Sequence, residues 1–125
     1  MKNKFYFYLG GFTELLYDIH YKGNKFNVCF DKGSRRIKFY VDSPSKSNWD
    51  RFWMFLDDIN IWEWEKEYFD KNVLDGTQWE IKFLNSKKKI HSYGSNLYPN
   101  KKVFNNLIKE VEILFDLKKL KKQID

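Results

Sequence analysis

The feature that most constrains this chain is a change of hydrophobic period at Ser43-Pro44. Upstream of it, apolar side chains recur at every second residue. Phe5, Phe7 and Leu9 alternate with Tyr6 and Tyr8, and Leu15, Tyr17, Ile19 and Tyr21 alternate with Glu14, Leu16, Asp18 and His20. Phe26, Val28 and Phe30 alternate with Asn27 and Cys29, and Ile37, Phe39 and Val41 alternate with Arg36, Lys38 and Tyr40. A period of two sends the two sets to opposite faces of a strand. Gly10-Gly11, Gly23-Asn24 and Asp31-Lys32-Gly33 separate the runs, so the first third reads as four antiparallel strands in a meander.

Downstream the spacing becomes helical. Trp49, Phe52, Trp53, Leu56 and Ile59 predict an amphipathic helix over roughly 47–59, with N-cap candidates in the Ser-rich stretch before it. Ile61 to Tyr68 returns to period two, which predicts a strand with Trp62, Trp64 and Tyr68 on one face and Glu63, Glu65 and Glu67 on the other. Trp79, Ile81 and Phe83 predict the next strand, and Ile90 to Tyr93 a short one. After Pro99, Val103, Phe104, Leu107, Ile108, Val111, Leu114 and Phe115 hold helical spacing, predicting one long helix to about Lys121. The expected order is ββββαβββα. The expected architecture is a single α+β domain over 1–125, with an antiparallel sheet of six or seven strands and both helices on one face.

Composition supports a folded core. Twelve Phe, 8 Tyr and 5 Trp make 20% of the chain aromatic, far from the composition of disordered segments. One cysteine, Cys29, forms no internal disulfide and points to a reducing compartment. The polar N-terminus and the lack of an 18-residue apolar run lead us to expect a soluble, cytoplasmic protein with no membrane partner. The net charge of +6 is blocked: residues 1–43 carry +4, residues 44–80 carry −5 and residues 81–125 carry +7. There is no alanine and only three arginines, a bias that follows AT-rich codons, so part of the lysine excess reflects the genome. The blocking itself creates fields that steer partners.

Candidate chemistry is sparse. His20 and His91 would make an acid–base pair only if one pocket held both, and the plainer reading is two surface histidines. One Cys and two His match no zinc spacing. Asp75 with Glu80-Ile81-Lys82 superficially matches a metal-dependent nuclease pattern, but E-x-K also arises on any solvated strand face. We therefore expect no catalytic residues, no metal and no cofactor. Partner contacts are expected instead. One set is Tyr6, Tyr8, Arg36, Lys38 and Tyr40, aromatic and basic side chains sharing the face opposite the apolar one. Another is Lys87, Lys88, Lys89, Lys101 and Lys102, read as flanking the Gly94-Ser95-Asn96 loop. The third is the acidic row Glu63, Glu65 and Glu67, suited to a basic surface.

Trp62-Glu-Trp-Glu-Lys-Glu-Tyr68, Val73-Leu-Asp-Gly-Thr-Gln-Trp-Glu-Ile81 and Gly94-Ser-Asn-Leu-Tyr-Pro99 carry a resemblance. Over about residues 47–117 the chain resembles a group of small uncharacterised bacterial proteins with W-x-W…Y, D-G-T-x-W and G-S-N-x-Y-P motifs. The resemblance implies a fold and no reaction. Its residues Trp62, Trp64, Asp75, Gly76, Trp79, Gly94, Asn96 and Pro99 read as structural: Asp75-Gly76 as a turn, Trp79 as a core anchor, Gly94 as a break and Pro99 as a helix start. A short chain of this codon bias and charge blocking is also similar in style to anti-CRISPR proteins, the type VI-B inhibitor in particular. Those phage or mobile-element products bind RNA-guided effectors and block them.

The expectation is thus a non-enzymatic interaction protein, an inhibitor whose partner is an effector protein or ribonucleoprotein, with RNA a further contact. A stand-alone single-stranded RNA-binding domain and a toxin-neutralising immunity protein are the alternatives.

Overall fold

The computed structural model describes residues 3–11, 13–70, 72 and 76–124. Strands β1 (Lys4–Gly10), β2 (Leu15–Lys22), β3 (Lys25–Lys32) and β4 (Arg35–Val41) form the expected meander. The turns after β2 and β3 are two residues long, with Gly23 at φ 68° and Gly33 at φ 61°, conformations that a Cβ would strain. Helix α1 (Lys46–Asp58) follows, then β5 (Glu67–Phe69), β6 (Gln78–Asn85) and β7 (Lys88–Ser95). Helices α2 (Lys101–Leu114) and α3 (Leu117–Lys122) close the chain.

The seven strands form one sheet in the order β4-β3-β2-β1-β6-β7-β5. Every pair is antiparallel except β5 with β7, which runs parallel, β5 lying at the edge opposite β4. The apolar parity of each strand turns to one side. There Phe7, Ile19, Phe26, Val28, Trp79, Ile81 and Phe83 are buried under Phe52 and Leu56 of α1 and Phe104, Leu107 and Val111 of α2. The α+β class and the order ββββαβββα are as the periodicity predicts.

Two segments depart from expectation. Residues 61–68 are not a strand. Asn60 adopts a left-handed conformation, a one-turn 3-10 helix spans Ile61–Glu63, and only Glu67–Phe69 pairs with the sheet. The aromatics bind locally instead of lining a strand. The Trp62 indole N–H donates to Asp57 Oδ1 at 2.8 Å, and the Tyr68 hydroxyl accepts the Glu65 N–H at 2.8 Å. The terminal helix is also divided, at Asp116 with φ 51°. Residues two apart on a straight helix face different sides. The break lets Phe115 and Leu117 both enter the core.

Caps match the chemistry of the sequence. Ser45 accepts the Asn48 N–H at the start of α1, and Asn100, one residue after Pro99, accepts the Val103 N–H at the start of α2. Among the described residues, no helix is long and apolar enough to cross a membrane.

Candidate binding face

Both longer helices lie on one side, so among the described residues the other face of the sheet has no helical layer. Strand register decides what it carries. In one cross-strand row, Tyr40, Asn27, His20, Tyr6, Lys82 and His91 follow one another across six strands. The next row runs Lys38, Cys29, Asp18, Tyr8, Glu80, Tyr93 and Glu67, and Arg36 stands beside Asp31 one row further. The five residues Tyr6, Tyr8, Arg36, Lys38 and Tyr40 therefore do share a face, as their parity predicts. Tyr40 is 59% exposed, and Phe69, on the same face at the β5 edge, is 49% exposed.

The charges on this face are mutually tied. Arg36 Nε donates to Asp31 Oδ1 at 2.5 Å, and Asp31 Oδ2 also accepts the Leu15 N–H at 2.8 Å. The Arg36 hydrogen bond, chiefly, holds the Asp31 carboxyl below the usual carboxylate range, with Leu15 adding to it. His91 and Glu80 meet at 2.6 Å, Lys82 approaches Glu80 at 3.9 Å, and Tyr93 donates to Glu67. Tyr6 is pushed up to about 12, first by burial and then by the charges of Asp18 and Glu80. Lys82 sits 5.5 Å from its ring centroid. Burial also raises the Cys29 thiol, which keeps it protonated and weakly nucleophilic at neutral pH.

A depressed carboxyl stabilises the fold above its unfolded pKa, near ~4, and loses that contribution as pH falls through the lower folded value. Asp31 should therefore make the protein acid-sensitive below about pH 4. In thermal melts from pH 7 to pH 2, Asp31→Asn should start less stable at neutral pH and decline less steeply in acid. Parallel curves for the two proteins would show that Asp31 contributes nothing.

The histidines share the open face but not a pocket. His20 on β2 and His91 on β7 are three strand spacings apart, about 14 Å between backbones. Each pairs with its own carboxylate, Asp18 at 3.4 Å and Glu80 at 2.6 Å. One cannot act as base and the other as acid on the same bond. Asp75 of the Asp75–Glu80–Lys82 pattern lies outside the described residues. Among the described residues, no group of three or more His, Cys, Asp and Glu side chains is placed to hold a metal.

The lysine reading needs correction. Lys87, Lys88 and Lys89 stand at the β6–β7 hairpin, five or more residues up β7 from Gly94, or about 17 Å or more at strand rise. Lys101 and Lys102 begin α2, beyond the other end of β7, and Lys101 lies 4.9 Å from the Tyr98 ring. The five do not surround one loop. Lys88 turns toward the helical side and pairs with Asp57 at 3.1 Å, whereas Lys89 is on the opposite parity. The acidic row is likewise dissolved. Glu63 ends the 3-10 turn, Glu65 lies in an extended link, and only Glu67 is in a strand. All three are exposed, but not as one ladder.

The motif residues assemble around Trp79, which is 1% exposed. Its indole N–H donates to the Leu97 carbonyl at 2.9 Å, and its ring contacts Tyr98, Trp64, Tyr68 and Phe104. Gly94 does not break the strand; it lies within β7 directly opposite Trp79. A Cβ on Gly94 would stand 2.5 Å from the indole nitrogen, so glycine makes room for tryptophan. Gly76 has φ 147°, and a Cβ there would overlap the Asn96 side chain. Asn96, itself at φ 61°, donates its backbone N–H to the Thr77 carbonyl at 2.8 Å. The two distant motifs thus pack on one another. Trp62 sits apart in the 3-10 turn, bonded to Asp57 of α1, Pro99 precedes the α2 cap, and Asp75 lies outside the described residues.

Asp18 and Tyr93 also stand on this face without being singled out by the sequence, and His20, Glu80, Lys82 and His91, which the sequence brings forward only as candidate chemistry, join them. Their parity against Ile19, Trp79, Ile81 and Ser92 was the available signal. What was missing was the pairing of β1 with β6, a contact across some seventy residues of chain.

No protein-family model matches the chain, and no curated protein matches it.

Proposed function

We propose that this protein is a non-enzymatic binding protein that uses the uncovered face of its sheet to engage a ribonucleoprotein. In its specific form it is an inhibitor of an RNA-guided CRISPR effector, acting in the cytoplasm where such effectors work. The observation that carries the reading is the open face itself. It brings Tyr6, Tyr8, Lys38, Tyr40, Lys82 and Tyr93 together from four strands, interleaving aromatic rings with cations. Such a surface suits a mixed partner. Tyrosines supply rigid contact area at low entropic cost and stack on unpaired bases, while lysines meet phosphates or acidic side chains. Arg36 with Asp31, His91 with Glu80 and Tyr93 with Glu67 are engaged in close pairs, an arrangement that fits recognition better than proton transfer.

The experiment is copurification of the tagged chain with RNA-targeting CRISPR effectors, loaded with guide RNA or empty, followed by affinity measurement across a salt series. A stable complex whose affinity falls steeply with salt is expected if phosphates contribute. Failure to associate with any effector, loaded or empty, overturns the specific form. Equal binding to the naked guide RNA favours the stand-alone RNA-binding reading.

A further inference from the structure

A second candidate site lies on the other side of the sheet, at its end. A cavity of about 500 Å³ opens between the N-terminal end of β1, the β2–β3 turn and α1, within the range of small-molecule pockets. Its floor is the buried rings of Phe5 and Phe26. Its walls are Tyr21 and Trp49. Tyr21 stacks one face on Phe26 at 4.8 Å and 19° and stays 48% exposed, so the rest of its surface is available to a ligand. Trp49 is fixed by its indole N–H, which donates to Ser43 Oγ at 3.0 Å, and by stacking on Trp53 at 5.2 Å.

The rim is basic. Lys4 lines the cavity. Asn3, another lining residue, accepts the backbone N–H of Ser86 at 3.3 Å, which holds the β6–β7 turn and its Lys87 against this end. Lys25, across the turn, is tied to Asp42 at 3.0 Å. Aromatic walls select a planar ring, and lysines at the mouth select a negative charge attached to it. We propose that this pocket binds a nucleotide, its base held against Tyr21 and Trp49 and its phosphate against Lys4 and Lys87. The site goes beyond the open-face reading: its wall residue Tyr21 is on the opposite parity from Tyr6 and Tyr40, and Lys4 reaches the mouth from the end of β1.

The test is calorimetric titration of the full chain with adenosine monophosphate, adenosine, inorganic phosphate and a 5′-phosphorylated oligo(A). Adenosine monophosphate should bind saturably, with adenosine and phosphate each at least about tenfold weaker, since each lacks half of the recognition. Tyr21→Ala should weaken nucleotide binding about tenfold or more, and Tyr21→Phe should retain it. Lys4→Ala with Lys87→Ala should weaken it several-fold and flatten its salt dependence. Thermal melts confirm that each variant is folded. Oligo(A) binding more tightly than the mononucleotide, in a Tyr21-dependent way, identifies a strand end as the source; equal affinities identify a free nucleotide. Absence of binding by both ligands, or binding that Tyr21→Ala leaves unchanged in a folded protein, overturns the proposal.

Discussion

Trp79→Ala should cost about 3–5 kcal/mol of stability, the range for truncating a large aromatic in a packed core. At this chain length that corresponds to a fall in Tm of roughly 10–20 °C. The size follows from what the indole does. It fills the space that Gly94 leaves open, contacts rings from the 61–68 link, β5, the β7–α2 connection and α2, and satisfies the Leu97 carbonyl. Truncation opens a cavity and leaves a part-buried carbonyl without its donor at once. Set against a total of ~5–15 kcal/mol, the variant would be marginal at 37 °C. Trp79→Phe keeps most of the apolar volume but loses the hydrogen bond, so it should cost less, about 1–3 kcal/mol. A Trp79→Ala melt within a degree or two of wild type would mean the ring is not buried as described.

The second large effect is on binding and should leave the fold alone. Tyr40→Ala with Lys38→Glu should weaken association with the partner by about a hundredfold. Both side chains are exposed on β4, so stability should change by only about 0.5 kcal/mol per site. The tyrosine acts chiefly on the dissociation rate, as an anchor does. The charge reversal acts on the association rate and on its salt dependence. Met54, 65% exposed on the helical side, provides the comparison, and Met54→Ala should leave affinity unchanged. Equal losses from Met54→Ala and from the β4 pair would relocate the contact to the helices.

Strand parity made much of this legible in advance. The alternation of Phe5, Phe7 and Leu9 with Tyr6 and Tyr8 fixes which residues face outward before any pairing is known. That is why the β1 and β4 members of the open face were found from the sequence. Period fails where side chains bind their own neighbourhood. Residues 61–68 alternate like a strand, yet Trp62 is drawn back to Asp57 on α1, and a 3-10 turn results. The Lys87–Lys89 and Lys101–Lys102 groups looked adjacent because a loop reading of Gly94-Ser95-Asn96 shortened β7. A glycine inside a strand can mark close approach of a partner rather than a break, and here the partner is Trp79. The Tyr21–Trp49 pocket was invisible because it depends on how α1 lies over the sheet end, which no local pattern states.

Hydroxyl-radical footprinting of the protein free and bound to its partner tests most directly whether the uncovered face is the contact surface. Tyr40 and Phe69 report that face near its opposite edges, and Met54 and Ile113 report the helical side; all four are exposed in the free protein. Oxidation of Tyr40 and Phe69 should fall several-fold on binding, with Met54 and Ile113 unchanged. Protection of Met54 and Ile113 with Tyr40 and Phe69 still reactive would contradict the account.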